Sequence, residues 1–445
     1  MSTKKLKVHF IGIGGIGVSA LARYYLKKGC QISGSDLVSS EITDALKKKG
    51  AKILIGQNKT GNLPKDADLI IYSPAVQPDN PELKEVKKIK IKIQSYPQAL
   101  GELTKKYFTI AISGTHGKST TTAMIGLLLV KAGFDPTVII GTKLKEFGDS
   151  NCRVGKSQYL VIEADEHMAS FLNYWPKIIA LTNIERDHLD YYKNLKNILK
   201  TFKKYIGHLP KNGWLVANRD DKNVQQLTKS KKQETVYYSL KQPEAKKLKK
   251  ILKVPGEHNI YNALAALTTA RILKIPDRIS FKALSEYKGA WRRFEIKRIT
   301  WEKKQITLIS DYGHHPTKVR VTLKAAREKY PKQKIWCIYQ PHQYQRTYYL
   351  FNDFVKVFKR APVDKLIITD IYDVAGREEK KIKEKVNSKK MVKAINKSQV
   401  MYLPNEKILE YLKQNLKGRE AVIIMGAGDI YNLTLRLTEL NKNHY

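Results

Sequence analysis

The run Gly114-Thr115-His116-Gly117-Lys118-Ser119-Thr120 has the residue types and spacing to hold a polyphosphate. It follows the apolar segment Thr109–Ser113 and precedes an amphipathic helix expected over Thr121–Ala132. A helix start offers unbonded N–H groups and the positive end of a dipole, so phosphate settles there. Lys118 adds a point charge for the outer phosphates, and the Ser119 hydroxyl is placed to bind Mg²⁺. A standard P-loop has Gly five residues before Gly117, where this chain has Ile112. Strand, turn, lysine and hydroxyl nevertheless stay in order, which predicts use of ATP.

Other polar residues end apolar runs. In open α/β sheets ligands bind beyond the carboxyl ends of strands, so such residues converge on one region. Glu163 ends the run Tyr159–Glu163, where a carboxylate can hold Mg²⁺. His188 follows the next run as a candidate second metal ligand, with helix capping the plainer role. Asn259 and Asn262, three apart on an alanine-rich helix, form either a cap or a polar rim over a base. Tyr312, His314, His342 and Arg346 follow two later strands and suit a carboxylate, which Arg grips through two parallel bonds. Near the N-terminus, Gly12, Gly14 and Gly17 with Asp36 fit a dinucleotide turn, and Gly15 and Ser73 lie in the same segments. A dehydrogenase has no need of Lys118, Ser119 and Glu163, so a UDP-linked ligand ranks above NAD.

The elements that position these residues fall into three blocks, residues 1–107, 108–292 and 293–445, each a series of apolar strands alternating with helices. That alternation predicts parallel α/β sheets. The polar segment Glu234–Lys253 reads as an edge hairpin or surface loop. With 445 residues, 42% of them apolar, the chain can bury several cores. No apolar run approaches the roughly 18 residues of a membrane span. The basic start imitates an export signal, but glycines interrupt its apolar stretch. Cys30, Cys152 and Cys337 are isolated, as a reducing cytosol permits, so a cytoplasmic protein is expected. The formal charge of +41 raises a basic nucleic-acid-binding ATPase as an alternative. The lysines are spread along the whole chain, many at helical spacing opposite apolar positions. That pattern favours solvated helix faces over nucleic-acid recognition.

Taken together, these motifs resemble the Mur ligases. The resemblance rests on Gly12–Gly17 with Ser33-Gly34-Ser35-Asp36, Gly114–Thr120, Thr182–His188, Gly256–Asn259, Trp291–Phe294, Asp311–Pro316 and Gln340–Thr347. It covers essentially the whole chain and is nearest the alanine-adding branch. It implies three α/β domains: an N-terminal Rossmann-like one for a UDP-sugar (Gly12, Gly14, Gly15, Gly17, Asp36, Ser73), a central P-loop-type ATPase-like one, and a C-terminal Rossmann-like one for the amino acid. It implies ATP and Mg²⁺ as cofactors, and UDP-N-acetylmuramate and L-alanine as substrates in peptidoglycan precursor synthesis. Lys118, Glu163 and His188 become catalytic, with Ser119, Glu163 and His188 on metal. Gly114 to Thr120, Asn259, Arg293 and Asp311 contact ATP. Tyr312, His314, His342 and Arg346 surround the amino acid. A recycling ligase that attaches a murein tripeptide to the same sugar is the rival within the family. Gln343 and Gln57 depart from the family pattern, at the amino-acid and uridine ends respectively.

Overall fold

The computed structural model describes residues 5–56, 59–86, 88–89, 91–229, 234–374 and 380–440; Gln57 lies outside them. Among the described residues, eighteen strands form three sheets. The first contains β1 (Lys7–Ile11), β2 (Gln31–Asp36), β3 (Lys52–Ile55), β4 (Leu69–Tyr72) and β5 (Lys92–Ser95), all parallel in the order β3-β2-β1-β4-β5. Strand order reverses beside β1, so the glycine turn after Ile11 opens at a topological switch point.

The second sheet contains β6 (Phe108–Ser113), β7 (Thr137–Leu144), β8 (Ser150–Arg153), β9 (Tyr159–Glu163), β10 (Ile178–Leu181), β11 (Trp214–Asn218) and β12 (Glu234–Tyr238). Its order is β12-β11-β10-β6-β9-β7-β8, parallel except for β8 at the edge. β6 is therefore flanked by β9 and β10, and the turn at Gly114–Gly117 leaves between their carboxyl ends. The third sheet contains β13 (Glu295–Trp301), β14 (Lys304–Asp311), β15 (Ile335–Tyr339), β16 (Lys365–Ile368), β17 (Val400–Tyr402) and β18 (Ala421–Met425), in the order β13-β14-β18-β15-β16-β17. Only β13 runs antiparallel, joined to β14 by a two-residue turn at Glu302 and Lys303. β15 and β18 are buried at every position, as expected for parallel strands covered on both faces.

Contacts divide the chain into two compact units. The first runs to Ile184 and also takes Ile198–Leu248 and Tyr261–Ser285, so it holds the first two sheets. The second takes Glu185–Asn197, Lys249–Ile260 and the chain from Glu286, and holds the third sheet.

Two local expectations change. The helix after the lysine turn is Lys118–Lys131 and is buried around most of its circumference rather than amphipathic, since it packs on β6, β7 and β9 while Thr121 faces Asn262. The segment expected as a hairpin or loop is instead the parallel edge strand β12 followed by the helix Pro243–Ile251. That helix buries Ala245 and Leu248 alone, a stripe too narrow to stand out among its lysines. No helix of the described residues is long and apolar enough to cross a membrane.

Candidate active site

In the first unit the site begins at the turn after β6. Gly114 (φ 128°) and Gly117 (φ 85°) both sit in the left-handed half of backbone space. A Cβ on Gly114 would overlap Thr182 Oγ1, and one on Gly117 would overlap Asn262 Oδ1, so neither position accepts a side chain. The turn is braced from β10: Asn183 Oδ1 accepts from His116 N at 2.9 Å, and Thr182 Oγ1 donates to His116 O at 2.6 Å. The carbonyl of Asn183 also accepts from Thr115 N at 2.9 Å. Gly117 caps the helix without a side chain, so nothing on the cap competes with a ligand for the amides of the first turn.

Lys118 Nζ donates to Gly114 O at 2.8 Å and to Glu166 Oε2 at 2.6 Å, with Asp165 Oδ1 at 3.3 Å. Its side chain is only 11% exposed. Burial alone would favour the neutral amine, but Glu166, Asp165 and Glu163 outweigh it and hold the ammonium pKa above the ordinary lysine value. Burial raises the Glu166 carboxyl against the pull of Lys118. Ser119 Oγ donates to Glu163 Oε1 at 3.0 Å, and Glu163 Oε2 accepts from Gly141 N at 2.9 Å. Ser119 and Glu163 thus place a hydroxyl and a carboxylate oxygen side by side, the hard-oxygen pair that Mg²⁺ prefers. Thr120 follows, partly exposed.

On the first sheet, Asp36 Oδ2 accepts from Gly14 N at 2.7 Å, closing the turn that carries Gly12, Gly15 and Gly17. Ser73, at the end of β4, lies against Gly12. Gly17 sits on the Tyr96 ring, where an added Cβ would come within 2.8 Å of Cζ. Burial first, then the charges of Glu163 and Asp165, push the Tyr96 phenol pKa up, so Tyr96 lies between the glycine turn and the carboxylates of the lysine turn. Sequence reasoning passed over it because a lone tyrosine at a helix start carries no signal.

In the second unit the third sheet gathers a different group. Asp187 is 5% exposed and accepts from Arg346 Nε at 3.1 Å. Burial would raise its carboxyl, but Arg346 and His188 prevail and hold it well below the ordinary range. His188 caps the short helix Leu189–Tyr192 in a left-handed conformation, and its N–H donates to Asp187 Oδ1 at 2.8 Å. Arg346 Nη1 lies 3.3 Å from His342 Nδ1. The His342 ring stacks on Tyr372 (5.4 Å, 14°), with His314 on another side at 5.9 Å. His314 Nδ1 is 3.1 Å from Tyr312 O, so Nδ1 carries the hydrogen and Nε2, 3.5 Å from Lys318 Nζ, is the acceptor. Burial, then Lys318 and Arg346, keep His314 neutral well below the usual imidazole range.

Arg293 lies over the Tyr312 ring at 5.0 Å. Asp311 is committed to its own unit, accepting from Phe294 N and Gly313 N at 2.8 Å each. Asn259 Nδ2 donates to Pro255 O at 2.7 Å. Asn262, on the same helix, belongs with the lysine turn, where its Oδ1 accepts from Thr121 Oγ1 at 3.2 Å. The structure therefore groups Lys118, Ser119 and Glu163 in one place and Tyr312, His314, His342 and Arg346 in another. His188 and Asn259 fall in the second unit. Asp165, Glu166, Asp187 and Tyr372 are additions; Asp187 had a signal, being framed by Arg186 and His188.

Family models match in three consecutive stretches: "Mur ligase family, catalytic domain" over residues 7–108, "Mur ligase middle domain" over 112–270, and "Mur ligase, glutamate ligase domain" over 292–428. The UDP-N-acetylmuramate–L-alanine ligase of Acetivibrio thermocellus is 42% identical across 96% of this chain and 94% of that protein. Its namesake from Caldanaerobacter subterraneus is 39% identical across 98% of both. Among solved structures, the UDP-N-acetylmuramate–alanine ligase of Thermotoga maritima superposes with a TM-score of 0.79 at 27% identity, covering 99% of this chain and all of that one. The murein peptide ligase of Psychrobacter arcticus shares the fold, with a TM-score of 0.73 at 21% identity. With three family models in series over most of its length and relatives about 40% identical from end to end, this chain belongs to the Mur ligase family.

Proposed function

We propose that this chain is an ATP-dependent ligase joining L-alanine to the lactyl carboxylate of UDP-N-acetylmuramate, in the cytoplasm, as a step of peptidoglycan precursor synthesis. Its near-full-length identity to curated alanine ligases supports the substrates. The observation that carries the chemistry is the Lys118 ammonium held beside the Ser119–Glu163 oxygen pair at the ends of β6 and β9. Residues 1–107 take the UDP-sugar, 108–292 take ATP and 293–445 take the amino acid.

A carboxylate resists an amine because its charge repels the nucleophile and oxide is a poor leaving group. Transfer of the γ-phosphoryl group breaks its bond to ADP and forms an acyl phosphate. The amine nitrogen then attacks the acyl carbon, the amine gives up a proton, and phosphate departs. Negative charge grows at each step, and Lys118 is placed to stabilise it without reorganising. Binding ATP exchanges Lys118's carboxylate partners for phosphate oxygens. Ser119 and Glu163 fit Mg²⁺, with His188 as a ligand of a second ion. Mg²⁺ there would neutralise charge on the phosphates. In the amino-acid domain, Arg346 and His342 hold the alanine carboxylate while His314, kept neutral, stands beside Tyr312.

The test is release of ADP by the purified protein given ATP, Mg²⁺, UDP-N-acetylmuramate and single amino acids or a murein tripeptide. Release that requires the sugar nucleotide and is fastest with alanine is expected. Release that ignores the sugar, or needs the tripeptide, rejects the reading.

A further inference from the structure

Arg23 lies within the helix Ile16–Lys27 and is only 8% exposed. Among the described residues none of its donors is paired, and Nε is fully buried without a partner. A buried guanidinium with five donors and no acceptor is a rare and costly arrangement, since buried charges are normally paired. Its surroundings are built. Asn151 Nδ2, on β8, donates to Ile16 O at 2.6 Å and to Ser19 Oγ at 2.9 Å. Positions 16, 19 and 23 share one face of the helix, so Arg23 faces the same edge of the second sheet.

The neighbours do not supply a counter-ion. Cys152 on β8 is close enough to sense Arg23, but burial pushes its thiol pKa up to about 12, so it stays protonated and uncharged. Lys49 is the other close charge, and burial followed by Arg23 and Lys27 lowers its pKa, which marks three cations repelling one another. Neither Lys27 nor Lys49 has an ion-pair partner among the described residues, whereas Glu41, the first residue of the helix Glu41–Lys47, is taken by Lys143 on β7 at 2.8 Å.

We propose that Arg23, with Lys27 and Lys49 at its rim, is a binding site for a phosphate-class oxyanion, set between the helix Ile16–Lys27 and strand β8 and separate from the lysine turn. The guanidinium fork matches two oxygens of a tetrahedral anion, and the lysines meet the remaining charge. The ligand is either free phosphate or the phosphate group of a nucleotide.

Calorimetric titration of the full-length protein in phosphate-free buffer tests this, with Lys118→Ala as background so that the lysine turn is not counted. Inorganic phosphate should still bind saturably and raise the melting temperature. Adding Arg23→Met should weaken that binding about tenfold or more, the loss expected for charge-assisted hydrogen bonds. Without phosphate, Arg23→Met alone should melt no lower than the wild type, because an apolar chain relieves an unpaired buried charge. A matching response to AMP and to phosphate assigns the free ion; a stronger response to AMP assigns a nucleotide phosphate. No phosphate binding in the Lys118→Ala background, binding unchanged by Arg23→Met, or a lower melting temperature for Arg23→Met in phosphate-free buffer would each overturn the site.

Discussion

The lysine turn of the second sheet and the histidine–arginine cluster of the third both bury charge, yet they are assembled in opposite ways. In the turn a cation is central and acids surround it: Lys118 between Glu166 and Asp165. In the cluster an acid is central and cations surround it: Asp187 beside Arg346 and His188. The turn draws its phosphate-facing groups from one contiguous heptapeptide and its acids from Glu163–Glu166, whereas the cluster draws on residues between Asp187 and Tyr372. A ligand with negative charge therefore meets a competing acid in the first place and a neutralised arginine in the second. Affinity in the turn is gained by exchange, while in the cluster Asp187 fixes the arginine's direction before anything binds.

The comparison breaks most directly at its two centres. Lys118→Ala should lower ADP formation by about 10³-fold or more, the scale of losing a principal electrostatic stabiliser, while binding of the UDP-sugar measured by calorimetry persists. Loss of sugar binding as well would mean that the first two sheets do not divide the work as proposed. Asp187→Ala leaves Arg346 buried without its partner and should cost about 3 kcal/mol in urea unfolding. An unchanged midpoint would show that the acid is dispensable to the cluster.

Smaller changes sharpen it. Gly117→Ala puts a Cβ at φ 85° against Asn262 and should cost about 1–2 kcal/mol, with a matching fall in ATP affinity. Asn262→Ala should restore part of that loss if the overlap is the cause. The last test is of pH. His314 is held well below the ordinary imidazole value by burial, then Lys318 and Arg346, and burial lowers His258 to about 4. Both rings are neutral when folded and charge more readily when unfolded. Their contribution is therefore complete above about pH 6.5 and is lost progressively as pH falls toward 4. Stability that is flat over that interval would contradict the neutral rings.

Much of this was legible in the sequence where chemistry is local. The lysine turn and the glycine turn are short peptides between a strand and a helix, and period and glycine placement reveal both. The β13–β14 hairpin was not, because its turn residues are Glu302 (φ 49°) and Lys303 (φ 60°) rather than the Asn or Gly that signal such a turn. The edge strand β12 was hidden for a related reason: Glu234, Thr235 and Tyr237 are not fully buried, so no apolar run marks it. At the site, the pairing of Glu166 with Lys118 had no local signal, since only tertiary packing buries the acid against the ammonium. Tyr372 reaches His342 through a backbone pairing that links segments thirty residues apart, and no local pattern announces that.

The side chains of Thr182 and Asn183, which clamp the His116 peptide from the neighbouring strand, carry a lesson for engineering. Transplanting residues 108–131 into another scaffold would move every phosphate-facing group yet leave behind the dipeptide that shapes them. Such a graft would relax into whatever conformation its new neighbours allowed, and recovering nucleotide affinity would require importing a second, distant piece of chain alongside it.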